Sequence, residues 1–501
     1  MQKYKEFFEQ GEKMFTFALK PRKEMEETLK DKTAKGIFWG GMSNGLQQLL
    51  NLIFGIFLGR LLSPTDYGMV GMLTIFSLIA GSLQESGFTA AIANKKEVTH
   101  RDYNAVFWFS VLVSATLYIL LFMAAPLIAD FYHTPELAPL ARYSFIGFFI
   151  SSFGTAHFAK LFREMKVKQR TIATFTALCI SGIVGVTLAF YGFSYWGIAT
   201  QNLCYILITT ILFWYFSKWK PTSHFDFTPI KEMFGFSCKL LATNIFNHIN
   251  NNLFSVILGK FFNEKAVGYY TQGNKWNTMG HNLITGMVNS VAQPVLAKVK
   301  EDQERQLRVF RKMLKFTAFV AFPIMLGLSI ISRELITILI TEKWLTSADI
   351  LSILCIGGAF LPITNLYTNL VISKGKSDIY LYNTVVVSIL QLCSLLALYR
   401  FGIEIMLYGY IGINIAWLLV WHHFVKKEIE YPYWQMLTDI LFYFVSASIV
   451  MFIANYLGNF IENIYLRMGT KILCATTLYF LLMIRNPMLK EAIGYLRRKQ
   501  L

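Results

Sequence analysis

Charge is scarce in this sequence: Asp, Glu, Lys and Arg make up 15% of its 501 residues, where an average soluble domain has about 25%. A chain so poorly charged and so apolar is not an ordinary water-soluble globule. Cysteine is sparse as well. Cys179, Cys204, Cys238, Cys355, Cys393 and Cys474 stand singly in apolar segments, without the paired spacing of a zinc site or disulfide framework. They read as small core residues. There is no P-loop, GxSxG or HExxH motif, so nothing signals the phosphate, hydrolase or zinc chemistry those motifs carry. The loops expected to face outward are short and poor in carboxylates and histidines, which leaves little room for an extracytoplasmic catalytic site. A secretory signal peptide is also not visible. The first apolar run starts near Ile37, behind a charged and partly amphipathic leader, so the first membrane helix is expected to act as its own insertion signal.

Hydrophobic residues make up 54% of the chain and aromatics 16%, with a mean hydropathy of +0.44. Fourteen hydrophobic segments are predicted between residues 37 and 485, each near the roughly 20 residues that cross a hydrocarbon core about 30 Å thick. The predicted fold class is therefore an all-α polytopic membrane protein of about 14 transmembrane helices. A net charge of +17 would suggest nucleic acid in a soluble chain, but here its placement decides. Lys95, Lys96 and Arg101, then Lys160, Arg163, Lys166, Lys168 and Arg170, fall in alternate loops, while Asp130 to Pro139, Gly192 to Ser194 and Gly458 to Tyr465 contain no Lys or Arg. By the positive-inside rule both termini are expected in the cytoplasm, and no nucleic-acid partner is expected. The basic, Phe-containing leader is read either as a helix on an anionic leaflet or as a solvated extension.

The stretch from Lys35 to Gly68 recurs 200 positions later, from Gly235 to Gly268. Asn44 meets Asn244, Gln47 meets Asn247, Asn51 meets Asn251, Arg60 meets Lys260 and Gly68 meets Gly268; Gly192 later pairs with Gly402. Six helices thus correspond to the next six, and because six is even the copies insert in the same direction, as parallel repeats. The expected organisation is a leader (1–36), an N-lobe (37–217), a C-lobe (218–426), two extra helices (427–485) and a basic tail (486–501). The extra pair serves either as lateral support or as a groove for a lipid tail.

Amides inside an apolar helix should face protein or water, since a lone polar group in lipid costs several kcal/mol. Asn44, Gln47, Asn51, Asn244, Asn247 and Asn251 are therefore candidates to line a wet cavity. Arg60 and Lys260 close the two opening helices, either snorkelling to the interface or attracting an anionic substrate. Lys160 and Arg163, with Lys374 and Lys376 in the matching loop, are read either as topology determinants or as a cytoplasmic set that gathers a diphosphate. Glu85 is the clearest buried carboxylate, a carrier of a coupling ion or a fixed partner for a cation. Lys239 and Arg333 are secondary candidates, and His248 is read as a packing residue.

The segment LGRLLSPTDYGMVGMLTIFSLIAGSLQESGFTAAI from Leu58, followed in order by LFREMKVKQR from Leu161, ILGKFFNEKAVGYY from Ile257 and TEKW from Thr341, resembles bacterial polysaccharide flippases of the Wzx type. These belong to the multidrug/oligosaccharidyl-lipid/polysaccharide (MOP) exporter superfamily, which also contains MATE transporters. The resemblance implies two six-helix lobes around a central cavity with two extra helices. It implies alternating-access export of undecaprenyl-diphosphate-linked oligosaccharide across the bacterial inner membrane, for capsule, O-antigen or exopolysaccharide. No cofactor is implied beyond an H+ or Na+ gradient. The implied partners are the lipid-linked oligosaccharide, membrane lipids, and a glycan polymerase with its chain-length machinery. Arg60, Arg163 and Lys260 fall on basic positions of the family-like motifs. The chain departs from the pattern in its leader and in Ser255, where an acidic residue often stands. Three alternatives remain open: a peptidoglycan-precursor flippase, a MATE-type multidrug/cation antiporter, and a membrane glycan polymerase or ligase.

Overall fold

The computed structural model describes residues 45–224 and 226–490, which form helices and turns with no strand. The leader, Asn44 and the end of the tail lie outside the described residues. In chain order the helices are α1 (Gly45–Leu61), then α2 (Pro64–Glu85), α3 (Phe88–Asn94), α4 (His100–Tyr132), α5 (Leu137–Ser144), α6 (Ile146–Arg163), α7 (Val167–Phe190) and α8 (Tyr195–Ser217). The chain continues with α9 (Thr228–Phe261), α10 (Glu264–Lys298), α11 (Gln303–Ile330), α12 (Ser332–Ile340), α13 (Leu345–Gly358), α14 (Leu361–Ser373), α15 (Ser377–Leu398), α16 (Ile403–Ile429), α17 (Tyr433–Gly458) and α18 (Ile464–Met483). From the second onward, the expected segments fall on helical stretches, several of them broken within the span. Eleven stretches among the described residues are long and apolar enough to cross a membrane. The chain is a multi-pass, all-α membrane protein. α1, α9 and α10 do not meet that measure: the described part of α1 is short, and α9 and α10 carry too many amides and charges.

Local chemistry starts the helices, and does so in a repeated way. Ser63 and Asp66 bond each other at the head of α2, with the Ser63 N–H donating to Asp66 Oδ2 at 2.8 Å. Two hundred positions on, Asn263 Oδ1 accepts from the Ala266 N–H at 2.8 Å at the head of α10. Both are N-terminal caps that satisfy otherwise orphaned amides. The loops after α6 and α14 also match. The Met165 N–H bonds the Phe162 carbonyl and the Lys166 N–H bonds Leu161, while the Gly375 N–H bonds Ile372 and the Lys376 N–H bonds Val371. Both are Schellman ends, with Met165 and Gly375 at positive φ.

The chain divides into two compact units: residues up to Leu61 with Leu73–Ile249, and Leu62–Met72 with Asn250 onward. Within the first unit α7 packs on α8, α8 on α5 and α6, and α4 on α6. Within the second, α15 packs on α16, α16 on α13 and α14, and α11 on α13 and α14. The same pairing scheme occurs in each. The division falls inside α9, and the connection from Lys218 is held on α4. Asn104 accepts from the Thr222 N–H at 2.8 Å and donates to the His224 carbonyl at 2.6 Å. Trp108 Nε1 donates to the Thr222 carbonyl at 2.7 Å. The hydrogen bond from Arg101 holds the Asp226 carboxyl well below the usual carboxylate range.

Residues 62–72 belong to the second unit through a close crossing of the first turns of α2 and α10. A Cβ on Gly68 would overlap the Glu264 carbonyl, and one on Gly268 would overlap the Pro64 carbonyl. These are repeat-related contacts in which two glycines let backbone meet backbone. The extra pair of helices also belongs to this unit. α17 packs on α11, and α18 packs on α17 and α12.

Candidate functional site

On α1 the Gln47 amide donates to Thr174 Oγ1 of α7 at 3.3 Å. Asn51 is exposed and lies one turn on, on the same side of the helix as Gln47. Arg60 is nine residues beyond Asn51, about 180° around a helix with 3.6 residues per turn. It shares its side with Leu46, Leu49, Ile53 and Phe57, which are exposed. On α9, Asn244 and Asn251 are exposed, Asn247 is half-buried, and Lys260 is half-buried in the last turn. Lys260 stands half a turn from Asn251 in the same way. The helices therefore place their amides on one side and their terminal cations on the other. They do not form one continuous polar stripe.

The loop candidates carry local bonds. Arg163 donates to the carbonyls of Ile92 at 2.5 Å, Lys95 at 2.5 Å and Lys96 at 2.9 Å, closing the C-terminus of α3 as a cation does at the negative end of a helix. Lys160 lies 3.8 Å from Glu164, which also pairs with Lys166 at 2.6 Å. Lys374 Nζ donates to the Lys300 carbonyl at 2.9 Å, and Lys376 pairs with Glu428 at 2.5 Å. Arg333 pairs with Asp349 at 2.8 Å on an exposed face. The side chain of Lys239 lies outside those described. As positioned, Arg163 and Lys374 bond backbone carbonyls, and Lys160, Lys376 and Arg333 pair with carboxylates. Gathering a phosphate with Arg163 would require breaking its carbonyl bonds.

Glu85 is the last residue of α2 and lines a cavity of about 320 Å³ in the first unit, whose wall mixes hydroxyls and amides with Phe158, Ile206 and Phe213. The sequence places it well inside a helix. The structure places it at a break, because Ser86 and Gly87 turn left-handed.

α10 is the element that sequence reading undervalued. Lys275 stands eleven residues into it, half-buried and with no hydrogen bond or ion pair among the described residues. On the same helix Gln272 Oε1, Trp276 Nε1, Asn277 Oδ1, His281 Nδ1 and Thr285 Oγ1 are buried without a protein partner. Native folds leave few such atoms, and a concentration of them marks a place where water or ligand supplies the bonds. The signal was in the sequence: Gln272, Asn274, Lys275, Asn277, His281 and Asn282 crowd a stretch otherwise apolar enough to count as a segment.

In the second unit an apolar cavity of about 590 Å³ runs between α11, α17 and α18, lined by Phe319, Pro323, Met451 and Tyr479. At its edge Lys471, 4% exposed, pairs with Glu334 at 2.7 Å.

The fold has counterparts among known proteins. The model of a family described as "Polysaccharide biosynthesis protein" matches residues 57–349, more than half of the chain. The lipopolysaccharide biosynthesis protein WzxC of Escherichia coli K12 is 24% identical over 430 residues, 85% of this chain and 82% of its own. The teichuronic acid biosynthesis protein TuaB of Bacillus subtilis 168 is 26% identical over 353 residues, 69% of this chain and 72% of its own. Among solved structures, the lipid II flippase MurJ in an inward closed conformation superposes with a TM-score of 0.72 at 16% identity, covering 90% of this chain and 99% of that one. An inward-facing MATE family transporter of the MOP superfamily gives 0.59 at 18% identity, over 77% and 94%. The chain shares the fold of these transporters, and with a matching family model over more than half its length it belongs to the polysaccharide biosynthesis protein family.

Proposed function

We propose that this protein is a flippase that moves saccharide units linked to undecaprenyl diphosphate across the bacterial inner membrane, with both termini in the cytoplasm, for capsule, O-antigen or exopolysaccharide synthesis. The observation that carries the reading is α10, where an unpaired Lys275 shares one helix with the buried, unpartnered amide oxygens of Gln272 and Asn277 in a polysaccharide-biosynthesis family member. A cation attracts phosphate and amides match sugar hydroxyls. The apolar cavity beside α18 is of a kind that holds a polyprenyl tail. Translocation forms and breaks no covalent bond. It needs two conformations of similar free energy and a substrate and ion that bind them unequally. The ion is H+ or Na+, and a glycan polymerase takes the product on the far side.

Depleting the protein is expected to raise the inner-membrane pool of complete lipid-linked units on the cytoplasmic face and to remove the surface polymer. Lys275→Met at normal abundance should reproduce that phenotype in part, with Lys275→Arg restoring export. Accumulation of single units on the outer face would instead identify a polymerase or ligase. The MurJ-like fold favours a second reading, peptidoglycan-precursor transport, which predicts that the accumulating lipid carries the peptidoglycan unit.

A further inference from the structure

In the first unit α4 and the start of α9 leave a groove of about 730 Å³ between them, within the range of about 300–1,000 Å³ that ligand pockets occupy. Phe109, Leu112, Val113 and Leu117 form the α4 wall, and Phe227, just before α9, and Phe234 form the other. Leu112 and Phe234 are 49% and 54% exposed, so the groove opens to the surroundings. Thr116 adds a hydroxyl to the wall, but its proton goes to the Leu112 carbonyl at 3.0 Å. A slot of this kind accepts hydrocarbon and offers a sugar nothing to bond.

The groove has a polar head and an apolar depth. Trp108 Nε1 donates to the Thr222 carbonyl at 2.7 Å, and Trp219 Nε1 donates to His100 Nδ1 at 2.9 Å. Indoles with one bonded polar end and an apolar body collect at the membrane–water boundary. From that level the α4 wall runs on from Phe109 to Leu117, about 12 Å at 1.5 Å per residue, most of the roughly 15 Å of hydrocarbon in one leaflet.

Lys231 stands at the head, in the first turn of α9. It is exposed, and its ammonium has no hydrogen bond or ion pair among the described residues. Lys218 and Lys220, in the connection held on α4, are exposed and equally without partners there. The carboxylates of this region are taken. Lys95 pairs with Asp102 at 2.7 Å and with Glu232 at 2.9 Å, and Arg101 pairs with Asp226. The head of the groove therefore offers cations to a phosphate and no free carboxylate to an ammonium. That combination suits an anionic headgroup that carries no amine.

We propose that this groove binds one anionic phospholipid of the phosphatidylglycerol class, with an acyl chain between α4 and α9 and the phosphate on Lys231. The lipid is a resident ligand rather than the transported substrate, so the inference goes beyond the transport reading.

The test is thermal unfolding of the purified full-length protein in detergent, titrated with phosphatidylglycerol or with phosphatidylcholine or phosphatidylethanolamine of the same acyl chains, and with no glycan lipid present. Wild type should show a saturable rise in Tm with phosphatidylglycerol that the other two do not match. Lys231→Met should weaken the apparent affinity about tenfold, the effect of one charge-assisted contact, and Lys231→Arg should retain it. Val113→Trp, which fills the slot and leaves Lys231 in place, should abolish the response; Lys231→Met, at an exposed position, covers the case in which the tryptophan variant fails to fold. Arg305→Met removes an exposed cation outside the groove and should respond as wild type does. Equal rises with all three lipids, or a Lys231→Met response like that of wild type, would show chain contact without headgroup selection and overturn the proposal. An equal loss in Arg305→Met would reduce the effect to general surface charge and overturn it as well. Because no glycan lipid is present, failure here leaves the flippase reading standing.

Discussion

Arg163 holds together a short helix that cannot hold itself. The seven residues of α3 form too few internal bonds to be stable alone, and the guanidinium gathers four carbonyls at its C-terminal end. Only Arg has a planar fork wide enough for this; the ammonium of Lys reaches fewer. Arg163→Ala is expected to lower Tm and membrane abundance, and Arg163→Lys to recover them only in part, as read by thermal unfolding and immunoblot. A variant that melts like wild type while export falls would assign the residue to substrate instead. The cation and its place in a basic loop were legible in the sequence. Its partners were not, because backbone carbonyls leave no mark in composition. Lys275 is the opposite case, where the residue type is informative and only the surrounding unpartnered atoms reveal its weight.

At the scale of elements, the first turns of α2 and α10 cross through Gly68 and Gly268. The repeat made their equivalence visible, but nothing in the linear chain says why glycine is required at both. The reason is steric, since any side chain at either position meets the other helix's backbone. Gly68→Ala is therefore expected to destabilise the protein and reduce export. Gly286→Ala, where a Cβ meets open space, should leave both at wild-type levels or slightly improved, as Ala is the better helix former. Equal Tm for the two variants in detergent would contradict the close crossing. Helix breaks were less legible still. Periodicity and hydropathy read Pro64–Asn94 as one segment, and the left-handed turn at Ser86 and Gly87 depends on what packs around it.

For the molecule as a whole, the two helices beyond the duplication are fastened to the second unit by charge as well as by packing. Asp439 of α17 accepts from Arg311 at 2.7 Å, Lys315 at 3.1 Å and Tyr431 at 2.8 Å, and Lys471 of α18 pairs with Glu334. Breaking a buried pair on one side strands the other charge, at a cost of about 3–5 kcal/mol, whereas replacing both partners by neutral groups is often nearly neutral. Lys471→Met should thus lower Tm sharply and the Lys471→Met/Glu334→Leu double variant should recover most of the loss; additive losses would show that the pair is not coupled. What the sequence determined by itself was the membrane class, the parallel duplication and the family-like motifs, because hydropathy, charge placement and spacing are properties of the linear chain. The tertiary structure alone decided which charges are paired, which polar atoms of α10 stay unpartnered and where helices break, because each depends on side chains and carbonyls brought together from distant positions.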